Sequence, residues 1–110
     1  MTGRKVFIVN DSGNNFSPAR IHGELIPLSE HSIDRYDVNL MKAQFETQLR
    51  TSDCEDFILH TGPGVMSAIA CAIFAARHNR LNLLLWCANA IGSPSYVPAR
   101  LIFNQTEEDL

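Results

Sequence analysis

The residues best suited to chemistry lie in two short loops, each directly after an apolar run of the chain. The first loop reads NDSG, from Asn10 to Gly13, and the second reads HTGPGVMS, from His60 to Ser67. Glycine lets a ligand approach the backbone closely, while asparagine, serine and threonine side chains supply hydrogen-bond donors and acceptors. We therefore predict that the two loops form one binding site for a small polar ligand.

The second loop has the composition of an anion-binding helix start. Pro63 at the first helical position lacks only an N–H that would have no partner within the helix, and Gly64 leaves the backbone open. The amides of the first helical turn then point outward at the positive end of the helix dipole, which attracts phosphate. The predicted ligand-binding residues are Asn10, Ser12, Gly13, Thr61, Gly62, Gly64, Val65, Met66 and Ser67.

A tight turn without a ligand explains the same glycines and proline, because these residues are common wherever a strand leads into a helix. The second loop has neither the G-x-G-x-x-G pattern of dinucleotide-binding loops nor the Gly-Lys-Ser/Thr ending of a P-loop. On the sequence alone, the anion site and the plain turn stay open as alternatives.

The candidates for acid–base catalysis are His60 and Asp11. His60 ends a predicted strand beside Thr61 and would act as a general base, with the Asp11 carboxylate orienting it from the other loop. A histidine in this position is more often a solvated residue at the end of a strand. Ser12 and Ser67 lack the Gly-x-Ser-x-Gly surroundings of an activated nucleophile, so no catalytic serine is predicted.

Strands and helices alternate along the chain and place both loops directly after strands. Pro27 and Pro98 have no N–H for a sheet ladder, so their strands are predicted at sheet edges. Ser17 and Asp37 are predicted to cap helices. Strands are predicted at 5–9, 24–29, 56–60, 81–86 and 96–103, and helices at 38–50 and 63–78, with a short helix after position 17.

This order of elements predicts a small three-layer α/β domain of Rossmann-like or flavodoxin-like type. Right-handed crossovers favour a mostly parallel sheet of order 2-1-3-4, with an antiparallel edge strand 5 on strand 4. Ligands bind at the carboxyl ends of strands where the order reverses, here between strands 1 and 3, and both loops leave the sheet there. The core is predicted to contain Val6, Ile8, Phe57, Leu59, Leu83 and Leu85.

Size and composition are those of an ordinary globular chain. Its 110 residues, 45% hydrophobic and 19% charged, predict a single α/β domain at 1–104 and a flexible acidic tail at 105–110. The net charge of -3 argues against a nucleic-acid partner, and no apolar run approaches the roughly 20 residues that span a membrane. Three widely spaced cysteines without a Cys/His cluster predict reduced thiols, no metal site and a cytoplasmic location.

The segment TGPGVMSA, from Thr61 to Ala68, resembles the GGGPGxMEA motif of the lonely-guy family of nucleotide phosphoribohydrolases and of their wider Rossmann-like superfamily. VFIVNDSG, from Val6 to Gly13, is loosely similar to the first strand and loop of that family. The resemblance covers about a fifth of the chain. It implies a nucleotide or nucleoside phosphate lying over Ser12, Gly13, Gly62 and Gly64.

The sequence departs from that family at its catalytic positions. Ser67 stands where the first motif has a glutamate, and the second motif, PGGxGTxxE, which carries the catalytic glutamate, does not occur. We therefore expect a nucleotide-binding module that requires no cofactor. If the chain is an enzyme, the expected reaction is that of a hydrolase or transferase acting on a nucleotide.

The sequence also resembles small uncharacterised α/β proteins of phage genomes, on the segments GELIPLSE and NRLNLLLW. An alternative function follows from the helix at 63–78, whose apolar residues lie on more than one side. Such a helix needs a cover besides the sheet, which predicts a homodimer or a host protein as partner. In this alternative, the chain is a phage-type interaction or inhibitor protein without a ligand.

Overall fold

The computed structural model describes residues 3–11, 13–30, 34, 36–88 and 94–103. Ser12 and the predicted tail at 105–110 lie outside these described residues. The helices are α1 (Val38–Leu49), α2 (Gly64–His78) and one 3-10 helix (Ser17–His22). The strands are β1 (Lys5–Ile8), β2 (Glu24–Pro27), β3 (Phe57–Leu59), β4 (Arg80–Cys87) and β5 (Ser95–Ile102).

The five strands form one mixed sheet in the order β2-β1-β3-β4-β5. β1 pairs in parallel with β2 and β3, β3 pairs in parallel with β4, and β5 is antiparallel to β4. The predicted strand order, the antiparallel fifth strand and the edge positions of Pro27 and Pro98 are therefore confirmed. The protein has an α/β fold built on a five-stranded mixed sheet.

The sheet buries apolar side chains on both faces. α1 and α2 cover one face, and the 3-10 helix lies against the other. Successive side chains of a strand point to opposite faces, so a strand covered on both sides has apolar residues at successive positions, as β1 has from Val6 to Ile8. The larger cluster, on the helical face, includes Phe7, Val9, Met41, Phe45, Ile58 and Phe74. The smaller cluster consists of Val6, Ile8, Phe16, Ala19, Phe57, Leu59 and Leu84.

Much of the apolar surface of α2 is covered within the chain itself. Met66, Ala70 and Phe74 are buried along one side of the helix. Ile69 and Ile73 are partly buried and pack against the larger cluster, which includes the buried residues of α1. α1 therefore supplies much of the second cover that the sequence attributes to another subunit, and the homodimer stays a prediction.

Three local predictions are wrong. Leu83 is only partly buried, and Leu85 is 38% exposed. β3 ends one residue beyond the pair of Ile58 with Leu83, so Leu85 extends past β3 and has a strand neighbour on one side alone. Ser17 lies inside the 3-10 helix, whose N-cap is Phe16 without a side-chain hydrogen bond. The Asp37 cap is confirmed, since its carboxylate accepts a hydrogen bond from Leu40 N at 3.1 Å.

Candidate functional site

The loop after β1 is held in place by its own polar groups. Asp11 N donates to Ser29 O at 2.8 Å, and the Asp11 carboxylate accepts a hydrogen bond from Gly13 N at 3.1 Å. Gly13 has a φ of +102°, a conformation that side chains with a Cβ rarely adopt. The backbone can bend sharply at Gly13 because glycine adopts this conformation without strain, and the Asp11 carboxylate stabilises the bend.

Asn10 joins the two predicted binding loops. Its side chain is 5% exposed, and its Oδ1 lies 3.1 Å from the hydroxyl of Ser29. Gly62, with a φ of +81°, packs against it so closely that a Cβ at Gly62 would lie 3.0 Å from Asn10 Cβ. The two loops thus meet at the carboxyl edge of the sheet, and the Asn10 side chain serves their packing.

The start of α2 leaves two amides without a helical acceptor. Pro63, predicted at the first helical position, is instead the N-cap, and it makes no side-chain capping bond. Met66 N and Ser67 N both donate to Pro63 O, at 3.0 and 3.5 Å, and the Met66 side chain is fully buried. Of the predicted amides, Gly64 N and Val65 N therefore have no hydrogen-bond acceptor among the described residues. A Cβ at Gly64 would meet open space.

A cleft of about 500 Å³ lies beside these loops, at the carboxyl ends of β1, β3 and β4. We call it the aromatic cleft. Trp86 and Tyr96 form one wall, with ring centroids 5.1 Å apart at 64°, and the Trp86 side chain is 54% exposed. The lining consists of Asn14, Asn15, Phe16, Leu59, His60, Thr61, Leu84, Trp86 and Tyr96.

Two of the predicted site residues, His60 and Thr61, line the aromatic cleft. His60 is exposed and has no hydrogen-bond partner among the described residues. The Asp11 carboxylate is engaged with Gly13 N, and no hydrogen bond links it to His60 in the part of the chain that the structure describes. The structure therefore does not bring together the two groups as an acid–base pair.

Sequence reasoning missed the aromatic wall of the cleft. Trp86 ends an apolar run that predicts a buried strand, and Tyr96 begins the next strand after an intervening loop. The only sequence signal was the single tryptophan at the carboxyl end of a strand. The antiparallel register, which pairs Trp86 with Tyr96, is a property of the folded sheet.

The lining of the aromatic cleft is nearly uncharged. None of the described residues that line it is a lysine or an arginine. Partial burial raises the pKa of Tyr96 above its ordinary value of 10.0, so the phenol stays protonated at neutral pH. The cleft can therefore bind a ring by stacking and by neutral hydrogen bonds, with little electrostatic attraction for an anion.

The described ranges contain neither a membrane-spanning helix nor a metal-binding cluster. No helix there is long and apolar enough to cross a membrane. Within the same ranges, no group of three or more histidine, cysteine, aspartate or glutamate side chains is placed to hold a metal ion. Cys54, Cys71 and Cys87 are free thiols; Cys71 packs against the larger cluster, and burial raises its pKa.

Comparison with known proteins identifies the family. No curated protein and no solved structure matches the chain. The profile of the phage Pam3 gp32-like proteins matches residues 4–101, which include every described strand but the last residue of β5. This match confirms the resemblance to small phage proteins. The chain belongs to the phage Pam3 gp32-like protein family.

Proposed function

We propose that this protein binds a nucleoside phosphate, with the ring in the aromatic cleft and the phosphate near the start of α2. The observation that carries the proposal is the position of the cleft, at the carboxyl ends of β1 and β3 where the strand order reverses. In flavodoxin-like and other doubly wound sheets, this crevice is where nucleotide ligands bind. Because this sheet has the same strand order, we infer that its crevice binds the same kind of ligand.

The cleft has the size and chemistry for one planar ring. Its volume of about 500 Å³ lies within the usual range for small-molecule sites. The exposed face of Trp86 offers a stacking surface beside Tyr96. Asn14 supplies an amide group that can pair with the edge of a base, and Asn15 adds an amide donor, since its Oδ1 accepts a hydrogen bond from Ser17 N. Stacking and amide hydrogen bonds therefore provide most of the proposed affinity.

The phosphate contributes through the backbone of α2. Gly64 N and Val65 N lie at the positive end of the helix, three and four residues beyond Thr61 in the cleft lining. Three to four residues of extended chain reach at most about 14 Å. Because the lining has no cationic side chain, a monophosphate is expected to bind more tightly than its nucleoside by a modest factor.

Binding without catalysis is the proposed activity. The exposed His60 supplies the imidazole of the cleft, and its proposed orienting group, Asp11, bonds to Gly13 instead. A general base acts efficiently when a second group orients it toward the proton that it removes. The described residues of the cleft therefore supply groups that bind a ligand but no oriented general base. The proposed binding requires no cofactor.

The test is calorimetric titration of the full chain with the four ribonucleosides and their 5′-monophosphates. We expect Trp86→Ala to lower the affinity for both the nucleoside and the monophosphate of the preferred pair about tenfold, since stacking on an aromatic side chain is worth about 1–3 kcal/mol. Trp86→Phe, which keeps a ring, is the matched control and should retain most of the affinity. Absence of binding by all eight compounds at millimolar concentration would overturn the proposal.

The position of the phosphate has its own variant. Gly64→Val places a branched side chain in the open space over the two free amides. It should therefore reduce the affinity for the monophosphate to the affinity for the nucleoside. Gly64→Ala, with a smaller group, serves as its control. If Gly64→Val leaves the preference for the monophosphate unchanged, the phosphate does not lie at the start of α2.

A further inference from the structure

A second concave surface lies on the opposite side of the molecule from the aromatic cleft. It is an open groove of about 670 Å³ between α1 and α2, which we call the helix groove. Its floor is apolar, formed on α2 by Ile69, Ala72, Ile73 and Ala76. Ala72 and Ala76 are exposed and small, so the backbone of another helix can approach α2 closely there.

One end of the helix groove carries unneutralised positive charge. Arg50 follows the last residue of α1, and Arg77 lies in the last turn of α2. The Arg77 guanidinium donates to Arg50 O at 2.7 Å, which places the two residues side by side. Among the described residues, no carboxylate lies within 4.0 Å of either guanidinium. Farther along, Lys42 and Glu46 neutralise each other at 2.6 Å.

The two helices run in the same direction along the groove. Their starts lie together, since Val38 lines a small depression with Gly64 and Val65, and their ends meet at Arg50 and Arg77. Both negative ends of the helix dipoles therefore lie at the arginine end. A third helix that runs the opposite way would place its positive N-terminus there, and acidic residues in its first turn would face the two arginines.

We propose that the helix groove binds an amphipathic helix of another protein, antiparallel to α1 and α2, with acidic residues in its first turn. The groove extends from Val38 to Arg50, about 18 Å at 1.5 Å per residue, which accommodates roughly 12 residues of helix. Apolar residues at i, i+3, i+4 and i+7 of the partner would contact the isoleucines and alanines of α2.

A second copy of this chain fits the groove less well. Neither α1 nor α2 has an acidic residue in its first turn, and the Asp37 carboxylate at the N-cap of α1 is already bonded to Leu40 N. Neither helix therefore presents a free carboxylate to Arg50 and Arg77 in the proposed arrangement. The partner is therefore assigned to a different chain. This inference is independent of the proposed nucleotide site, because the two surfaces share no lining residue.

The test uses two synthetic 14-residue amphipathic helices that differ only in the first turn, where one has two glutamates and the other two lysines. Each peptide is titrated into the isotopically labelled full chain and followed by amide NMR shifts. We expect shifts along 42–50 and 69–77, with the glutamate peptide bound about fivefold more tightly, as expected for two exposed ion pairs. Arg77→Gln should reduce that preference to about twofold.

Two variants separate the groove from the rest of α2. Ala72→Glu places a charge on the apolar floor and should abolish binding, whereas Ala68→Glu, exposed on the same helix outside the groove, should leave it intact. Melting curves establish that both variants fold. Equal affinity for the two peptides, or shifts outside the groove, would overturn the proposal. A homodimer in light scattering that Ala72→Glu dissociates would also overturn it, since the groove would then bind a second copy.

Discussion

His78 joins the end of α2 to the loop that precedes β3. Its Nε2 lies 2.7 Å from the Ser52 hydroxyl, which donates in turn to Leu49 O at 2.6 Å. Because the hydroxyl proton is used on that carbonyl, the imidazole donates its Nε2–H to Ser52 Oγ. The ring also packs on Phe74, with centroids 4.5 Å apart. At the scale of one residue, this histidine therefore holds two elements together without a charge.

The pH dependence of stability should report this arrangement. Burial, with a smaller effect of the Arg77 charge, lowers the pKa of His78 below its ordinary value of 6.5, although Asp53 and Asp56 partly oppose this. Well above pH 6.5, the imidazole is neutral in both the folded and the unfolded chain. As the pH falls below that value, the unfolded chain takes up the proton first, so the free energy of unfolding decreases.

Urea unfolding between about pH 5 and pH 7.5 measures the effect. His78→Gln keeps a donor for Ser52 but does not titrate, so its stability should depend less on pH over this range. The His60→Gln variant is the control, since His60 is exposed and contacts no partner among the described residues. Identical pH profiles for the wild type and His78→Gln would show that protonation of His78 does not affect folding.

At the scale of elements, the turn from the 3-10 helix into β2 depends on close backbone contact. Gly23 N donates to Arg20 O at 3.3 Å, and the next amide, Glu24 N, donates to Arg4 O at 3.0 Å as β2 joins β1. A Cβ at Gly23 would lie 2.5 Å from Arg4 O, a backbone atom that cannot move away alone. Glycine is therefore needed for β2 to pair at the start of β1.

Gly23→Ala should lower the free energy of unfolding by about 1–3 kcal/mol, the usual cost of forced overpacking. The matched control is Gly64→Ala at the start of α2, where a Cβ meets open space; it should change stability by less than about 1 kcal/mol, in the stabilising direction. Denaturant midpoints at constant m-value measure both. Equal midpoints for the two variants would contradict the close contact at Gly23.

At the scale of the whole molecule, Glu55 connects the amino ends of β1 and β4 with the carboxyl end of β5. Its carboxylate lies 3.1 Å from Arg80 at the start of β4, 3.7 Å from Arg4 before β1 and 3.9 Å from Arg100 in β5. Beneath this surface network, the buried Asn82 amide donates to Cys54 O and Asp56 O, at 2.7 and 2.8 Å. Charge and hydrogen bonds thus hold segments distant in sequence at one edge of the sheet.

Glu55→Gln leaves three arginines without their shared carboxylate, and its effect should depend on salt. Exposed ion pairs are worth about 0.2–1 kcal/mol each, so we expect a loss of about 1 kcal/mol at low ionic strength and less at about 1 M salt. Glu46→Gln, which breaks the single exposed pair with Lys42, is the control and should cost less. A loss for Glu55→Gln that is the same at both salt concentrations would contradict the electrostatic account.

The sequence predicted most of the fold because its strongest signals are local. Apolar runs, prolines and the Asp37 cap locate the elements within a few residues of where they occur, and the handedness of crossovers then leaves few arrangements of the sheet. The meeting of the loops at Asn10 and Gly62 follows from this topology. The exposure of Leu85 does not follow from the topology, because it depends on how far β4 extends past β3.

The sequence by itself therefore determined the alternation of elements, the strand order and the edge of the sheet where both loops lie. Only the tertiary structure decided what surrounds them: the pairing of Trp86 with Tyr96 that walls the cleft, and the covering of α2 by α1. The physical reason is the separation along the chain over which each kind of interaction acts. Periodicity and chirality act between neighbours in the chain, whereas a wall or a groove exists only once strand register and helix packing bring distant side chains together.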